Sequence, residues 1–398
     1  MTRATFSFLA ISILLITSCA KKQEKHVLDL KQLVNQVQDK YIADKRVKVY
    51  DVQIKDSITT ILRGETSDEQ AYNELIERSK EIYPAIVNEL RLLPSEDLQG
   101  KTYGVVKLSV ADIREKPDFT SGMATQAILG TPIRILQQDG WYRIQTPDGY
   151  IGWTQDANFH AMTKDEFNTW VEAPKVIFTD YFGFAYKDAD KNSQTISDLV
   201  EGNILKWEGE KGLFYKVSYP DGKEAYVSKS QAMPYDRWRS SLQLTGESLV
   251  KKSLTMMGIP YVWGGASVKG MDCSGYTKQV LFMHGIILMR DASQQVNTGI
   301  PVDISDGYDN LRPGDLLFFG KKATETAKQR IRHVGFYIGN HEFIHASGCI
   351  RISSLDKDKP NYDERNATEL VSARRMVGAA DTEGVWTIAN NPLYKTQD

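Results

Sequence analysis

The spacing of apolar residues changes character twice along the chain. From about 26 to 95, "VLDLKQLVNQVQDKYI" and "DEQAYNELIERSKEIYPAIVNELRLL" place apolar residues every three or four positions. That period predicts amphipathic helices, and Ser67-Asp68-Glu69 suits a helix start. From about 99 the pattern shortens to alternating runs, "YGVVKLSVADIREKP" and "TPIRILQQDGWYRIQTPDGYIGWTQ", which predict small all-β structure. Within it "WYRIQTPDGYIGWT" (141–154) realigns with "FYKVSYPDGKEAYV" (214–227) at a constant offset of 73. Each copy has an aromatic pair leading a strand, a Pro-Asp-Gly turn and a returning strand, so two related barrels are expected. Trp141 and Trp153 read as barrel core. "FTDYFGFAYKDADKN" reads as a surface loop that lacks the ligand spacing of a calcium site. From about 241 helical and strand patterns mix, which predicts an α+β domain. There "ESLVKKSLTMMGI" is a helix, "PYVWGGAS" a glycine-rich loop, "MDCSGYTKQVLF" a second helix and "LLFFG" a buried strand. "HVGFYIGNHEFIHAS" reads as a hairpin turning at Gly339-Asn340.

The expected division is therefore a leader (1–18), a helical N-terminal region (19–98), two barrels (99–165 and 166–240) and the α+β domain (241–385). The first twenty residues, "MTRATFSFLAISILLITSCA", hold Arg3, a short apolar run and small residues, the signature of an export signal. The ending Ile16-Thr17-Ser18-Cys19 resembles a bacterial lipobox, which makes Cys19 the expected lipidation site and the protein an exported, membrane-anchored lipoprotein at the periplasm or cell surface. A simple secreted protein is the alternative. With 49 basic and 51 acidic residues, a net charge of -2 and no long basic run, nucleic acid is not an expected partner. No CxxC pair is present, and neither a metal nor a cofactor is expected.

Two further cysteines follow Cys19, Cys273 and Cys349. Asp272 is a plausible N-cap, which puts Cys273 in the first turn of a helix, where unpaired N–H groups and the dipole favour a thiolate. A thiolate nucleophile needs a base. His333 and His345 lie on opposite strands of the expected hairpin, close enough for one ring to take the thiol proton while the other orients it. His341 falls at the turn, and His284 at the end of the cysteine helix. A small buried cysteine and two structural histidines fit the spacing as well. Cys349 reads as a free, largely buried thiol.

The ordered motifs "YVWGGAS", "MDCSGYTKQVLF", "LRPGDLLFF" and "RHVGFYIGNHEFIHAS" resemble the NlpC/P60 family of papain-like cell-wall peptidases over about 245–380, and the barrels resemble bacterial SH3 domains. The resemblance implies a papain-like α+β domain with Cys273 as nucleophile, His333 as general base, His345 as the orienting residue and Tyr261 as an oxyanion donor. The whole layout is similar to a subgroup that cleaves the γ-D-glutamyl–diaminopimelate (or L-Lys) bond of muropeptides after a free N-terminal L-Ala. By that likeness the substrate-binding candidates are Asp272, Ser274, Arg290, Asp291 and Tyr150. Asp291 would face the ammonium, Tyr150 would close the site, and Arg290 and Ser274 would take the D-Glu carboxylate. Some relatives carry Ser directly after this Asp, where Ala292 stands. The subgroup also supplies an acid from its first SH3 domain, to which no residue is assigned. An endopeptidase acting on intact or crosslinked peptidoglycan, and a non-catalytic peptidoglycan-binding lipoprotein, are the competing expectations.

Overall fold

The computed structural model describes residues 4–57 and 59–397, with side chains from Gln23 onward. The side chains of the expected leader and of Cys19 lie outside those described residues. Two compact units divide the chain, 1–98 and 99–398. Among the described residues no helix is long and apolar enough to cross a membrane.

The first unit is α+β rather than helical. It holds α1 (Ala4–Tyr41), β1 (Tyr50–Asp56), β2 (Thr60–Thr66), α2 (Glu69–Ile82) and β3 (Val87–Leu92), with the strands in the order β1-β2-β3. The expected α2 begins as read, with Asp68 capping Ala71 N–H at 2.8 Å. It stops before Pro84, because a proline cannot continue the ladder. The rest of that apolar run, "VNELRL", is β3, pairing parallel with β2. "YDVQIKD" alternates in burial as a strand does. Leu30, Leu33, Val37, Leu62 and Leu75 form the core of this unit.

The second unit opens with two seven-stranded antiparallel sheets. The first holds β4 (Tyr103–Val106), β5 (Val110–Arg114), β6 (Met123–Ile128), β7 (Pro132–Asp139), β8 (Trp141–Gln145), β9 (Ile151–Thr154) and β10 (Phe159–Met162). After α3 (Lys164–Glu172) come β11 (Lys175–Phe178), β12 (Phe182–Tyr186), β13 (Thr195–Val200), β14 (Ile204–Lys211), β15 (Phe214–Ser218), β16 (Glu224–Ser228) and β17 (Ala232–Pro234). The orders are β10-β4-β7-β8-β9-β5-β6 and β13-β12-β16-β15-β14-β11-β17. Reversing the second list makes them the same order, strand for strand, as the sequence repeat predicts. Two details differ from the sequence reading. The segment read as a surface loop contributes β12, whose Phe182 and Phe184 stay exposed because that face is not covered. Trp141 and Trp153 are half-buried rather than core. Phe119 packs edge-on against Trp141, and Arg143 lies over Trp153.

After α4 (Tyr235–Ser241) and α5 (Gly246–Leu254) the α+β part follows: β18 (Ala266–Ser267), β19 (Gly270–Met271), α6 (Cys273–Phe282), β20 (Ile286–Leu288), α7 (Ala292–Gln295), β21 (Ile300–Val302), β22 (Leu316–Lys321), β23 (Arg330–Gly339), β24 (Glu342–Ser347), β25 (Cys349–Ser354), α8 (Glu364–Thr368), β26 (Leu370–Arg375) and β27 (Val385–Thr387). Its main sheet runs β21-β26-β22-β23-β24-β25. The hairpin β23–β24 turns at Gly339 and Asn340, both with positive φ. Helix α6 is buried on nearly every side, with Tyr276, Val280 and Leu281 sharing one core with Val334, Phe336 and Ile344 of the sheet. The expected end near 385 falls short: β27 pairs with β20, and the segment beyond it returns to the first sheet.

Candidate active site

Asp272 caps α6, accepting from Gly275 N–H at 2.7 Å, so Cys273 occupies the first helical position. Its second carboxylate oxygen accepts from Gly264 N–H at 3.0 Å and ties the "WGG" loop to the helix start. The approach is close enough that a Cβ on Gly275 would come to 2.0 Å from Gly265 O. This explains why glycine stands at the third position of "CSG". Cys273 is buried, with its sulfur against the N–H of Val334, the residue after His333. Burial pushes the thiol up to about 12; Asp272 adds to this against Val334, Arg290 and Ser274. The thiolate expected from the helix start is therefore overridden, because loss of water and an adjacent carboxylate outweigh the dipole.

The histidines meet as the hairpin register requires. Phe336 faces Ile344 across β23–β24, so Gly335 lies opposite His345 and His333 sits diagonally beside it on the same face. His333 Nε2 and His345 Nδ1 are 2.6 Å apart, and His345 Nε2 is 3.0 Å from Ser353 Oγ on β25. Two tautomer assignments satisfy these contacts, and in the one that suits a base His333 Nε2–H donates to His345 Nδ1 while His345 Nε2–H donates to Ser353 Oγ. His333 Nδ1 is then left as the unprotonated nitrogen. Burial pushes both imidazoles below their usual range, with the neighbouring ring adding for His333 and Arg351 for His345. The resting groups are thus a neutral thiol and two neutral rings. Ser353 has no sequence signal beyond its place on the next strand.

A cavity of about 240 Å³ opens beside the thiol. Cys273, Asp272, Ser274, Tyr261, Tyr150 and Asp291 line it together. Tyr150 Oη donates to Asp291 Oδ2 at 3.1 Å, so the first β-module reaches into the wall. Asp291 also caps α7. Glu115, a weak candidate for the acid of the first SH3 domain, lines the same cavity, as do Trp263 and Arg332, which the sequence did not single out. Trp263 is 69% exposed inside the "YVWGGAS" motif, a large aromatic at a site where core packing does not demand it.

Arg290 stands elsewhere than expected. It is 1% exposed and absent from the cavity wall. Its Nη1 and Nη2 donate to Asp272 Oδ1 and Oδ2 at 3.0 and 2.5 Å, its Nη1 to Ser274 Oγ at 3.0 Å, and its Nε to Thr125 Oγ1 at 2.8 Å. Those bonds occupy the planar fork that a substrate carboxylate would need. Burial works against its charge, but Asp272 more than offsets that. Arg290 is a brace under the helix start, and Ser274 is the member of that expected pair that faces the cavity.

Cys273 and Cys349 are both free thiols; Cys349 is half-buried. His284 bonds Val280 O at 2.8 Å near the end of α6, and His341 is exposed at the hairpin turn. One spacing overlooked in the sequence, His341-Glu342-x-x-His345, carries the letters of a zinc-binding helix motif. Here it runs from a turn into β24, and His345 has both nitrogens engaged by His333 and Ser353. The motif needs a helix to bring its histidines to one face with free ring nitrogens, and neither condition is met.

A buried cysteine at a helix start, packed on a sheet that carries paired imidazoles, defines a papain-like thiol hydrolase arrangement. The NlpC/P60 family model matches residues 258–368, and a bacterial dipeptidyl-peptidase SH3 domain model matches 113–158. A γ-D-glutamyl-L-lysine dipeptidyl-peptidase of Bacillus cereus is 28% identical over 265 residues, 64% of this chain and 75% of the relative. A probable endopeptidase NlpC homolog of Haemophilus influenzae is 30% identical over 158 residues, 39% of this chain and 69% of the relative. The crystal structure of an NlpC/P60 family protein from Bacillus cereus superposes with a TM-score of 0.57 at 23% identity, covering 69% of this chain and 99% of that one. The chain belongs to the NlpC/P60 family of cysteine peptidases.

Proposed function

We propose that the protein hydrolyses the amide between the γ-carboxyl of D-Glu and the following diamino acid in muropeptides that begin with a free L-Ala. The observation that carries this reading is the shared wall of one cavity: Cys273 lines it together with the Tyr150–Asp291 pair and Glu115. A free ammonium needs carboxylates, and this wall carries Asp291 and Glu115. The activity named for the Bacillus cereus relative supports it. Cys273 Sγ attacks the γ-carbonyl carbon while its proton passes to His333 Nδ1. Tyr261 Oη and the Cys273 N–H face the oxyanion. Collapse breaks the C–N bond, and His333 returns the proton to the leaving amine. A water, deprotonated by His333, then cleaves the thioester and releases L-Ala-D-Glu. His345 and Ser353 hold His333 in the required tautomer. Ser274 lines the cavity where the D-Glu carboxylate would lie, with its hydroxyl turned to Asp272 Oδ1 at 3.2 Å.

The test compares L-Ala-γ-D-Glu-L-Lys with its N-acetylated form. The free peptide is cut and the acetylated one resisted, and Cys273→Ala abolishes both. Equal rates on the two peptides would refute amine recognition and favour an endopeptidase of the intact wall. The second seven-stranded sheet is read as a second SH3 domain, from its strand order and the sequence repeat. The leader supports an exported lipoprotein anchored through Cys19, which predicts palmitate labelling that Cys19→Ala removes.

A further inference from the structure

Tyr150 belongs to one β-module and Cys273 to the α+β part, so something must fix the distance between them. The turn that presents Tyr150 is rigid in itself. Thr146 N–H donates to Tyr150 O at 2.9 Å, Gly149 N–H to Thr146 O at 2.8 Å and Gln145 Nε2 to Gly149 O at 2.7 Å. At its centre Asp148 has a side chain with no exposure at all. Thr146 Oγ1 donates to one carboxylate oxygen, and Lys278 Nζ pairs with the other at 2.6 Å. Lys278 stands on α6, the helix that begins at Cys273. On the other side of the turn, Asn391 Nδ2 from the segment after β27 donates to Pro147 O at 2.7 Å. Burial alone pushes the Asp148 carboxyl up, yet Lys278, Thr146 and Arg290 outweigh it and hold it low.

Neither Asp148 nor Lys278 lines the cavity. A buried ion pair contributes little net stability compared with an apolar pair of similar size, but it fixes one geometry. We propose that Asp148 and Lys278 are positioning residues for substrate selection: the pair sets the Tyr150 hydroxyl at its station against Asp291, measured from the helix of the nucleophile. The pair acts through Tyr150 alone and touches no reacting atom. This inference rests on the amine-recognition reading for its kinetic consequence, not for its structural one.

The experiment uses the full chain with Asp148→Asn, and with the apolar pair Asp148→Leu/Lys278→Met in case an unpaired lysine prevents folding. On L-Ala-γ-D-Glu-L-Lys, KM rises about 10-fold while kcat changes less than about threefold, and preference over the N-acetylated peptide falls in proportion. In a Tyr150→Phe background the same substitutions change KM less than about twofold, because the route through the hydroxyl is already cut. Amide exchange of residues 146–154 in the intact protein accelerates at least about tenfold. Unchanged exchange in both variants overturns the proposal whatever the kinetics show. Additive effects with Tyr150→Phe overturn it too, since they mark a general loss of structure. If the wild-type enzyme cuts both peptides equally, the amine reading fails, and the exchange measurement still judges the positioning pair.

Discussion

Gly335 separates the two histidines in sequence and faces one of them in space, which makes it a sensitive place to disturb the site without touching it. A Cβ built there comes to 2.8 Å from Ile344 O and 2.9 Å from His345 Cβ. Both neighbours belong to β24 and neither is a flexible tip. Opening the carbon–carbon contact to a tolerable ~3.5 Å requires β24 to move by roughly 0.6 Å at His345. The His333–His345 bond, now 2.6 Å, would lengthen toward the limit of a hydrogen bond, and the 3.0 Å bond to Ser353 would strain in turn. Misplacing a base by this order costs about 100-fold in rate, while the overpacked sheet costs about 1–3 kcal/mol of stability. Gly335→Ala should therefore lower kcat on the free-amine tripeptide about 100-fold, with KM within about threefold, because the cavity wall is untouched. Steady-state kinetics and a urea titration on the same preparation separate the two effects. A variant that keeps kcat within twofold would refute the claim that the ring pair needs this spacing.

Other perturbations follow from the same groups. Absorbance at 240 nm, as a difference between wild type and Cys273→Ala, should show no thiolate step between pH 5 and 8, because burial and Asp272 hold the thiol protonated. Arg290→Met should destabilise the fold by about 3–5 kcal/mol in urea titrations, since it leaves Asp272 buried without its cation; Arg290→Lys should recover only part. His333 and His345 have folded values below the ordinary 6.5, so the unfolded chain binds more protons as acid is added. Their contribution to stability is fully present above pH 6.5 and is lost as pH falls toward their folded values, by up to about 1.4 kcal/mol per pH unit for each ring. Replacing His345 by Asn should flatten that part of the curve, and an unchanged slope would contradict the burial argument.

The local rules worked wherever one element decided the outcome. Asp272 as a cap, Cys273 at the first turn and the hairpin that joins His333 to His345 all follow from short-range pattern, and the α+β and β-module folds follow from period and repeat. The strand β3 failed because "VNELRL" continues the apolar spacing of α2, and only Pro84 marks the break. The thiolate failed for a different reason. A helix dipole is visible in a sequence, but the removal of water around Cys273 depends on β23, some sixty residues away. Arg290 shows the same limit most plainly. Its charge and its place beside Asp291 suit a carboxylate ligand, yet the carboxylate it meets is Asp272 of its own chain, and Thr125 arrives from a separate module. Each such error concerns a charge whose partner lies on another element. A buried charge is assigned by its counter-charge, and this chain supplies those of Arg290 and Asp148 internally. The groups proposed to meet a substrate ammonium, Asp291 with Tyr150 and Glu115, stand instead on the cavity wall.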